Sequence, residues 1–252
     1  LTARCNLHCK MCYVCKPPND IEGRAKELTA EQWIQLAREA RDAGVLILTL
    51  TGGEVFLRPD FREIFEEVSR MGLLVQIYTN GTMITPEVIR WLGRTPPFKV
   101  SITLYGASRD TYQKVTGFAD GYDRAVRAVD GLTAAGIAVQ MKTTIIRDNV
   151  CDFDRLLRLF DERKIKLGLI DYIAPRREGS CSDPQDCRLT PRELVEFRKH
   201  VVNIWRQKEN RLKNEPDGDD DCQSPGAPKE NATGDSVHAF RCSAGRSSFF
   251  IT

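Results

Sequence analysis

The chain has 252 residues, 41% of them hydrophobic and 29% charged, and 37 basic against 35 acidic side chains leave a formal net charge of only +2. That length suits one large domain, or one with a small appendage, and is enough to build a core without disulfides. The balanced charge gives no argument for a nucleic-acid surface, and no apolar run approaches the roughly 18 residues of a membrane span.

Taken in order, Leu1-Thr2-Ala3 reads as a strand stub, and a chain opening on Leu rather than Met implies sequence upstream of it. Thr29, with Gln32 three residues on, opens a helix with a capping box, and Gly44 stops it. Residues 45–51 (VLILTLT) form an unbroken apolar run, the pattern of a strand buried on both faces. Asp60 opens a helix whose Phe61, Ile64, Phe65, Val68 and Met71 share one side. Residues 74–79 read as a strand, Thr85-Pro86 starts a helix to about Arg94, and residues 98–104 form the next strand. A helix over 122–135, a strand over 138–145, a helix from Asn149 to about Lys164 and a strand over 167–174 complete the series. Six strands separated by helices require crossovers and parallel pairing. Periodicity alone leaves an open doubly wound sheet and a partly closed barrel equally available. Beyond Ala174 the style changes: a loop leads to a basic helix from Thr190-Pro191 to about Lys213, then 214–237 reads as a polar linker. Residues 240–252 start a strand or hairpin that the chain end interrupts.

Nine cysteines are the compositional oddity, and Cys5, Cys9, Cys12 and Cys15 crowd into eleven residues. Clustered thiols without a secretory signal point to metal in a reducing, cytoplasmic setting rather than to disulfides. Three readings compete. All four could close a structural zinc site. A ferredoxin-type run through Cys9, Cys12 and Cys15 would need its fourth cysteine at Asn19, and fails there. Alternatively Cys5, Cys9 and Cys12 alone could hold a four-iron cubane, leaving one iron open to a ligand that is not protein.

The Cys5-x3-Cys9-x2-Cys12 spacing after a short strand, followed by Thr51-Gly52-Gly53-Glu54 at the end of the next one, resembles the radical S-adenosylmethionine (SAM) superfamily. That resemblance covers roughly residues 1–176 and implies an α/β fold, a partial (β/α)6 TIM-like barrel. It implies a 4Fe–4S cluster on Cys5, Cys9 and Cys12. It also implies SAM held at the open iron, with Gly52, Gly53 and Glu54 at its methionine amino group. Glycines let a backbone come close to a ligand, and a carboxylate suits an ammonium group. Asn80, in the Thr79-Asn80-Gly81-Thr82 turn, is expected to border the SAM pocket. Ser101 is expected to meet its ribose or carboxylate, and Lys142 to add a cation on a face shared with Thr144. His8 reads as a loop residue between two ligands. No acid or base is assigned.

Residues 242–251 (CSAGRSSFFI) resemble the opening of a SPASM or twitch extension, a subgroup feature that binds auxiliary iron–sulfur clusters. Cys242, and with less support Cys222, are therefore candidate auxiliary ligands, with the rest of the set expected beyond Thr252. The implied layout is a radical SAM barrel over 1–176, a helix and polar linker over 177–237, and the start of the extension over 238–252. Such relatives mostly modify peptides or proteins, and residues 101–117 also resemble peptide maturases. A peptide substrate and a flavodoxin or ferredoxin electron donor are expected, with no membrane or nucleic-acid partner. A haem-pathway enzyme of the same superfamily is the runner-up.

Overall fold

The computed structural model describes residues 1–176 and 184–214. Cys222, Cys242, Cys181 and the extension expected over 238–252 lie outside the described residues. Five strands, β1 (Ile47–Leu50), β2 (Leu74–Thr79), β3 (Lys99–Thr103), β4 (Val139–Thr144) and β5 (Leu167–Ile170), form one parallel sheet in sequential order. Right-handed crossovers between strands laid down in that order carry every connecting helix to the same face. A doubly wound sheet needs a reversal of strand order. The barrel-type reading therefore holds, with five strands in the sheet rather than six.

The connecting helices are α2 (Ala30–Asp42), α3 (Phe61–Arg70), α4 (Pro86–Arg94), α6 (Gly121–Ala134) and α7 (Phe153–Glu162). Their starts follow from sequence: Thr29 and Gln32 exchange both bonds of a capping box, and the Thr85 hydroxyl accepts from the Val88 N–H. Strand alternation then splits the side chains. Val75, Ile77, Val100, Ile102 and Met141 enter one core with Phe61, Phe65, Leu92, Val129 and Phe160 from the helices. Phe56, Phe61, Phe65 and Trp91 meet edge to face or tilted inside it, with ring centroids between 4.9 and 6.4 Å apart. Burying the Phe61 and Phe65 rings contributes about 1.5–3 kcal/mol each. The opposite face is polar. Tyr78 pairs with Ser101 and Ser101 with Gln140, while Thr103 pairs with Lys142, so these residues share one side, away from the helices.

Three expectations change. Leu1-Thr2-Ala3 adds no sixth strand: the Leu1 amino group bonds the Thr51 carbonyl, and the Gly53 N–H donates to Thr2 O at 2.6 Å. This lead-in reaches only the far end of β1, so the near end has β2 on one side alone. Leu46 and Ile47 are consequently exposed, and β1 is not buried on both faces. The helix expected from Asn149 begins as a 3-10 turn, Val150–Asp152, because the Asn149 side chain folds back. Its oxygen accepts from Ile146 N–H and its amide donates to the carbonyls of Tyr105 and Thr144.

Two helices were not foreseen, α1 (Ile21–Ala25) and α5 (Arg109–Thr116). The last is α8 (Pro191–Asn214), whose Phe197 and Val201 are buried, with Phe197 packing edge to face on Phe153. Leu1–Val202 is one compact unit; of a second, Asn203–Thr252, the described part is the remainder of α8.

Candidate functional site

The cysteine loop is built on the C-terminal turn of α5. An α-helix leaves its last carbonyls without intrahelical partners, and here His8 N–H donates to Thr116 O at 2.9 Å and Lys10 N–H to Val115 O at 3.0 Å. Ser108 caps that helix at its start, and Gly117, at φ 71°, closes it in the left-handed region that glycine occupies without strain. Leu7, Cys9 and Met11 pack with Val115, Ile146 and Ile173, and Cys5, Cys12 and Tyr105 border the same cluster. His8 is exposed, as a loop residue should be.

None of Cys5, Cys9 and Cys12 forms a disulfide. Burial pushes Cys5 up to about 11, against an ordinary value of 9.0, and raises Cys9 well above that ordinary value. After burial, the charges of Cys5 and Cys12 raise Cys9 further. Like charges gathered in a buried site are tolerated when cationic metal lies between them. Among the described residues, no three Cys, His, Asp or Glu side chains converge tightly enough for a single ion. A tetrahedral zinc site would need thiolates about 2.3 Å from one centre. Soft thiolates hold iron–sulfur clusters as readily as they hold zinc.

The glycine motif lies directly against the loop's lead-in. A Cβ on Gly52 would sit 2.3 Å from the Thr2 carbonyl oxygen, and one on Gly53 would sit 2.3 Å from that of Arg4. The backbone these glycines admit is therefore the chain's own. Gly53→Ala is expected to lift the lead-in from the end of β1, lowering stability by about 1–3 kcal/mol as overpacking does. Denaturant unfolding of the metal-free protein checks this, and an unchanged midpoint would remove the packing argument.

Glu54 is 0% exposed. Its Oε1 accepts from Phe56 N–H (3.2 Å) and the Thr79 hydroxyl (2.7 Å), and its Oε2 from Asn80 N–H (2.8 Å). Burial raises its pKa despite these three donors. The carboxylate thus ties the end of β1 to the turn after β2. Asn80 in turn gives its side-chain amide to Asn6 Oδ1 at 2.9 Å and to Cys5 Sγ at 3.7 Å, while its oxygen accepts from the Thr82 N–H and hydroxyl. Asn6 closes the ring by donating to the Thr82 hydroxyl at 2.8 Å.

Ser101 and Lys142 lie on the polar face of the sheet. Ser101 is almost fully buried and donates to Gln140 Oε1 at 3.1 Å. The Lys142 ammonium stands 3.2 Å from the Tyr78 ring centroid, its stem lying over Gly168, where a Cβ would approach Lys142 Cγ to 3.0 Å. Burial, and secondarily the Lys99 charge, lower Lys142 from 10.5 to about 8. Tyr172 is exposed, and Thr144 is half-buried on the Lys142 face.

Several contributors went unread in the sequence. A buried ion cluster clamps the lead-in: Arg4 Nε bonds Glu27 Oε1 at 3.1 Å, and Arg58 Nη1 lies 3.6 Å from Glu27 Oε2. The Thr2 hydroxyl also bonds Glu27, and Arg58 bonds Asp60 and the carbonyls of Leu1 and Leu28. Asn6 and Tyr105 likewise carried no local pattern marking them out. For α5, Ser108 three residues before Thr111 and Gly117 after the last turn were usable start and stop signals.

A singly wound parallel sheet, with the lead-in of a three-cysteine loop packed on a glycine motif at the C-terminal end of β1, defines a half-barrel α/β protein. Residues 1–160 match the family model described as the Radical SAM superfamily. The chain belongs to that superfamily, whose enzymes use a 4Fe–4S cluster together with SAM. It is 30% identical over 183 residues to an AdoMet-dependent heme synthase of Methanosarcina barkeri, covering 73% of this chain and 52% of that protein. It is 29% identical to a PqqA peptide cyclase of Ruegeria pomeroyi, with coverages of 80% and 53%. It is 34% identical to the mycofactocin maturase MftC of Mycobacterium tuberculosis, over 63% of this chain and 40% of that one. Streptococcus suis SuiB shares the fold at TM-score 0.67 and 17% identity, over 82% of this chain and 46% of that structure. The chain thus spans about half the length of the curated relatives it matches. No helix among the described residues is long and apolar enough to cross a membrane.

Proposed function

We propose that the protein carries a 4Fe–4S cluster on Cys5, Cys9 and Cys12 and binds SAM beside it. When bound, the pair supplies reductive cleavage of SAM to methionine and a 5′-deoxyadenosyl radical able to take a hydrogen atom from a substrate carbon. The observation that carries this reading is the loop of Cys5, Cys9 and Cys12, whose lead-in packs on Gly52 and Gly53 and whose Cys5 sulfur meets the amide of the Asn80 that Glu54 fixes. In it, Gly52 to Glu54 frame the place of the methionine amino group and Glu54 fixes that turn. Asn80 holds the loop beside it, and Ser101 and Lys142 offer a hydroxyl and a cation to SAM's ribose and carboxylate. The residues of the polar sheet face bind and orient, while the apolar packing under the loop keeps water from the sulfurs.

The substrate is a peptide or protein side chain. Relatives named for peptide work, a PqqA peptide cyclase and a mycofactocin maturase, support this, as does a SuiB structure described as bound to precursor peptide SuiA. The heme synthase relative supports a second reading, a porphyrin-type substrate. A flavodoxin or ferredoxin would deliver the electron, and the free thiols suit a reducing cytoplasm. The barrel of this reading runs over 1–176, with the helix and linker of 177–237 and the extension of 238–252 following; Cys222 and Cys242 are its auxiliary-cluster candidates.

Low-temperature EPR of anaerobically reconstituted, dithionite-reduced protein tests the core of the proposal. A 4Fe–4S signal that changes on adding SAM, with release of 5′-deoxyadenosine, supports it; a signal indifferent to SAM overturns it. Incubation with a candidate precursor peptide or a porphyrin then separates the two substrate readings.

Lys142 adds a pH signature. Its folded value lies below the ordinary one, so between about pH 8 and 10.5 the unfolded chain binds the proton and the folded chain does not. Stability therefore gains from this group as pH rises through that window. Any carboxylate held by the ammonium is lost over the same rise. SAM affinity measured by equilibrium dialysis is expected to weaken above about pH 8 in the wild type. In Lys142→Arg, always charged, it should stay level. Identical profiles would remove Lys142 from the SAM site.

A further inference from the structure

The segment that follows β4 meets both the cysteine loop and the helix that supports it. Ile146 packs with Leu7, Cys9 and Met11. Asp148 bridges two lysines, Lys10 of the cysteine loop at 2.6 Å and Lys114 of α5 at 2.8 Å. Asn149 and Asp152 reach across to the segment between β3 and α5. The Asn149 amide donates to the Tyr105 carbonyl at 3.0 Å, and Asp152 Oδ2 accepts from the Ala107 N–H at 2.9 Å. Ser108, the next residue, caps α5.

These contacts differ in weight. The two lysines are 45% and 59% exposed, so water and salt weaken their bridge through Asp148. Asn149 and Asp152 are buried, where hydrogen bonds are stronger and a lost partner costs more. Asn149 is itself fixed from its own side of the fold: its oxygen accepts from Ile146 N–H at 2.8 Å, and its amide also donates to the Thr144 carbonyl at 2.9 Å. Asp152 Oδ1 has only the largely exposed Arg155 nearby, at 3.9 Å, so its main task is the Ala107 bond.

Helix α5 carries the result to the thiols. Fixed at its start through Tyr105 and Ala107, it presents the Thr116 and Val115 carbonyls at its end to the N–H groups of His8 and Lys10, one on each side of Cys9. Rigid elements of this kind pass a displacement from one end to the other. We propose that Asn149 and Asp152 are positioning residues for the cluster: by fixing the start of α5 they set where its end holds Cys9. This rests on the cluster assignment made above. Partners that orient a metal's ligands from outside typically carry about 10–100-fold in metal affinity, and a pair acting through a helix belongs at the low end.

The test uses the anaerobically reconstituted full chain, with EDTA as competitor and the reduced-cluster EPR signal as the second readout. Asp152→Ala removes the acceptor for Ala107. It is expected to give up its iron at a roughly tenfold lower EDTA concentration than the wild type, and to broaden the EPR signal as the loop takes up more than one geometry. Asn149→Ser, too short to reach the Tyr105 carbonyl, should do the same, and it decides the matter should Asp152→Ala not fold. Asp152→Asn keeps an oxygen for the Ala107 N–H and should restore both readouts. Val68→Ala is the control, because Val68 is buried in the helix-side core and not under the cysteine loop. It should lower the guanidinium midpoint while leaving the EDTA profile and the EPR line shape as in the wild type.

Wild-type EDTA profiles and line shapes in both Asp152→Ala and Asn149→Ser overturn the proposal. So do equal changes in Val68→Ala, which would reduce the effect to lost stability, or an Asp152→Asn that behaves like the alanine variant. A wild-type chain that assembles no cluster overturns this proposal and the functional reading together. A cluster that responds as expected in the variants but ignores SAM sinks only the catalytic reading.

Discussion

Cys9→Ser is expected to leave the reconstituted protein without bound iron or acid-labile sulfide, while its far-ultraviolet circular dichroism stays that of the wild type. Cys9 is the most buried of the three thiols and feels the charge of both others, which makes it the central ligand in the proposed assignment. A serine hydroxyl is a hard ligand that stays protonated near neutral pH, whereas iron–sulfur centres select soft thiolates. The folding cost is small by comparison, about 1–3 kcal/mol for a buried hydroxyl lacking a full set of partners. Cys15→Ser separates the rival metal readings. Cys15 contributes its main-chain N–H to Cys12, a bond serine preserves, so this variant should keep iron. A four-thiolate zinc module predicts the reverse. Iron retained in Cys9→Ser, or lost in Cys15→Ser, would defeat the three-cysteine assignment.

Glu27→Ala is expected to destabilise the metal-free protein by about 3–5 kcal/mol, the range for leaving buried charge without its partner. The Arg4 and Arg58 side chains are only 8% and 4% exposed, and Glu27 lies between them at 13%. Arg58 keeps Asp60 at 2.6 Å, but Arg4 loses its only ion pair among the described residues. Exposed pairs of this protein, such as Arg41 with Asp42, should contribute no more than about 1 kcal/mol. Glu27→Gln retains the shape and one acceptor and should fall between. Guanidinium unfolding of the three proteins measures the order. A loss below about 1 kcal/mol in the alanine variant would show that water reaches the arginines and that the clamp is an ordinary surface pair. Because Arg4 adjoins Cys5, Glu27→Ala should also lose iron faster to a chelator than the wild type.

Much of this was legible in sequence because it is local. The capping box at Thr29, the proline start at Thr85-Pro86 and the glycine stops place three helices by chemistry within a few residues. The alternation of Val75 and Ile77 against Gln76 and Tyr78 marks a strand with two faces. Cys5, Cys9, Cys12 and the Gly-Gly-Glu turn stand out for the same reason. What the sequence hid depends on partners distant in the chain. The VLILTLT run says nothing about which neighbour is missing, and β1 turned out half-covered because the lead-in meets only its end. Asn6 and Thr82 are separated by 76 positions, Arg4 and Glu27 by 23. Polar residues so spaced look like surface until the fold brings them together. Helix α5 was obscured by its β-branched residues, Thr111, Val115 and Thr116, which favour strands when read alone.

The fit between the lead-in and the two glycines orders events during synthesis. The thiols are made before the surfaces that hold their loop: the turn at residues 51–54, which receives the lead-in, and the end of α5, which receives His8 and Lys10. Until that turn and β1 exist, the cysteines are a supple segment with no template, open to oxidation and to whichever metal arrives. Once Gly52 and Gly53 receive the Thr2 and Arg4 carbonyls, and α5 receives His8 and Lys10, the loop is held at both ends. Cluster loop and glycine turn therefore behave as one inheritable part, and transplanting either into another barrel without its counterpart would move the letters of the motif while leaving its geometry behind.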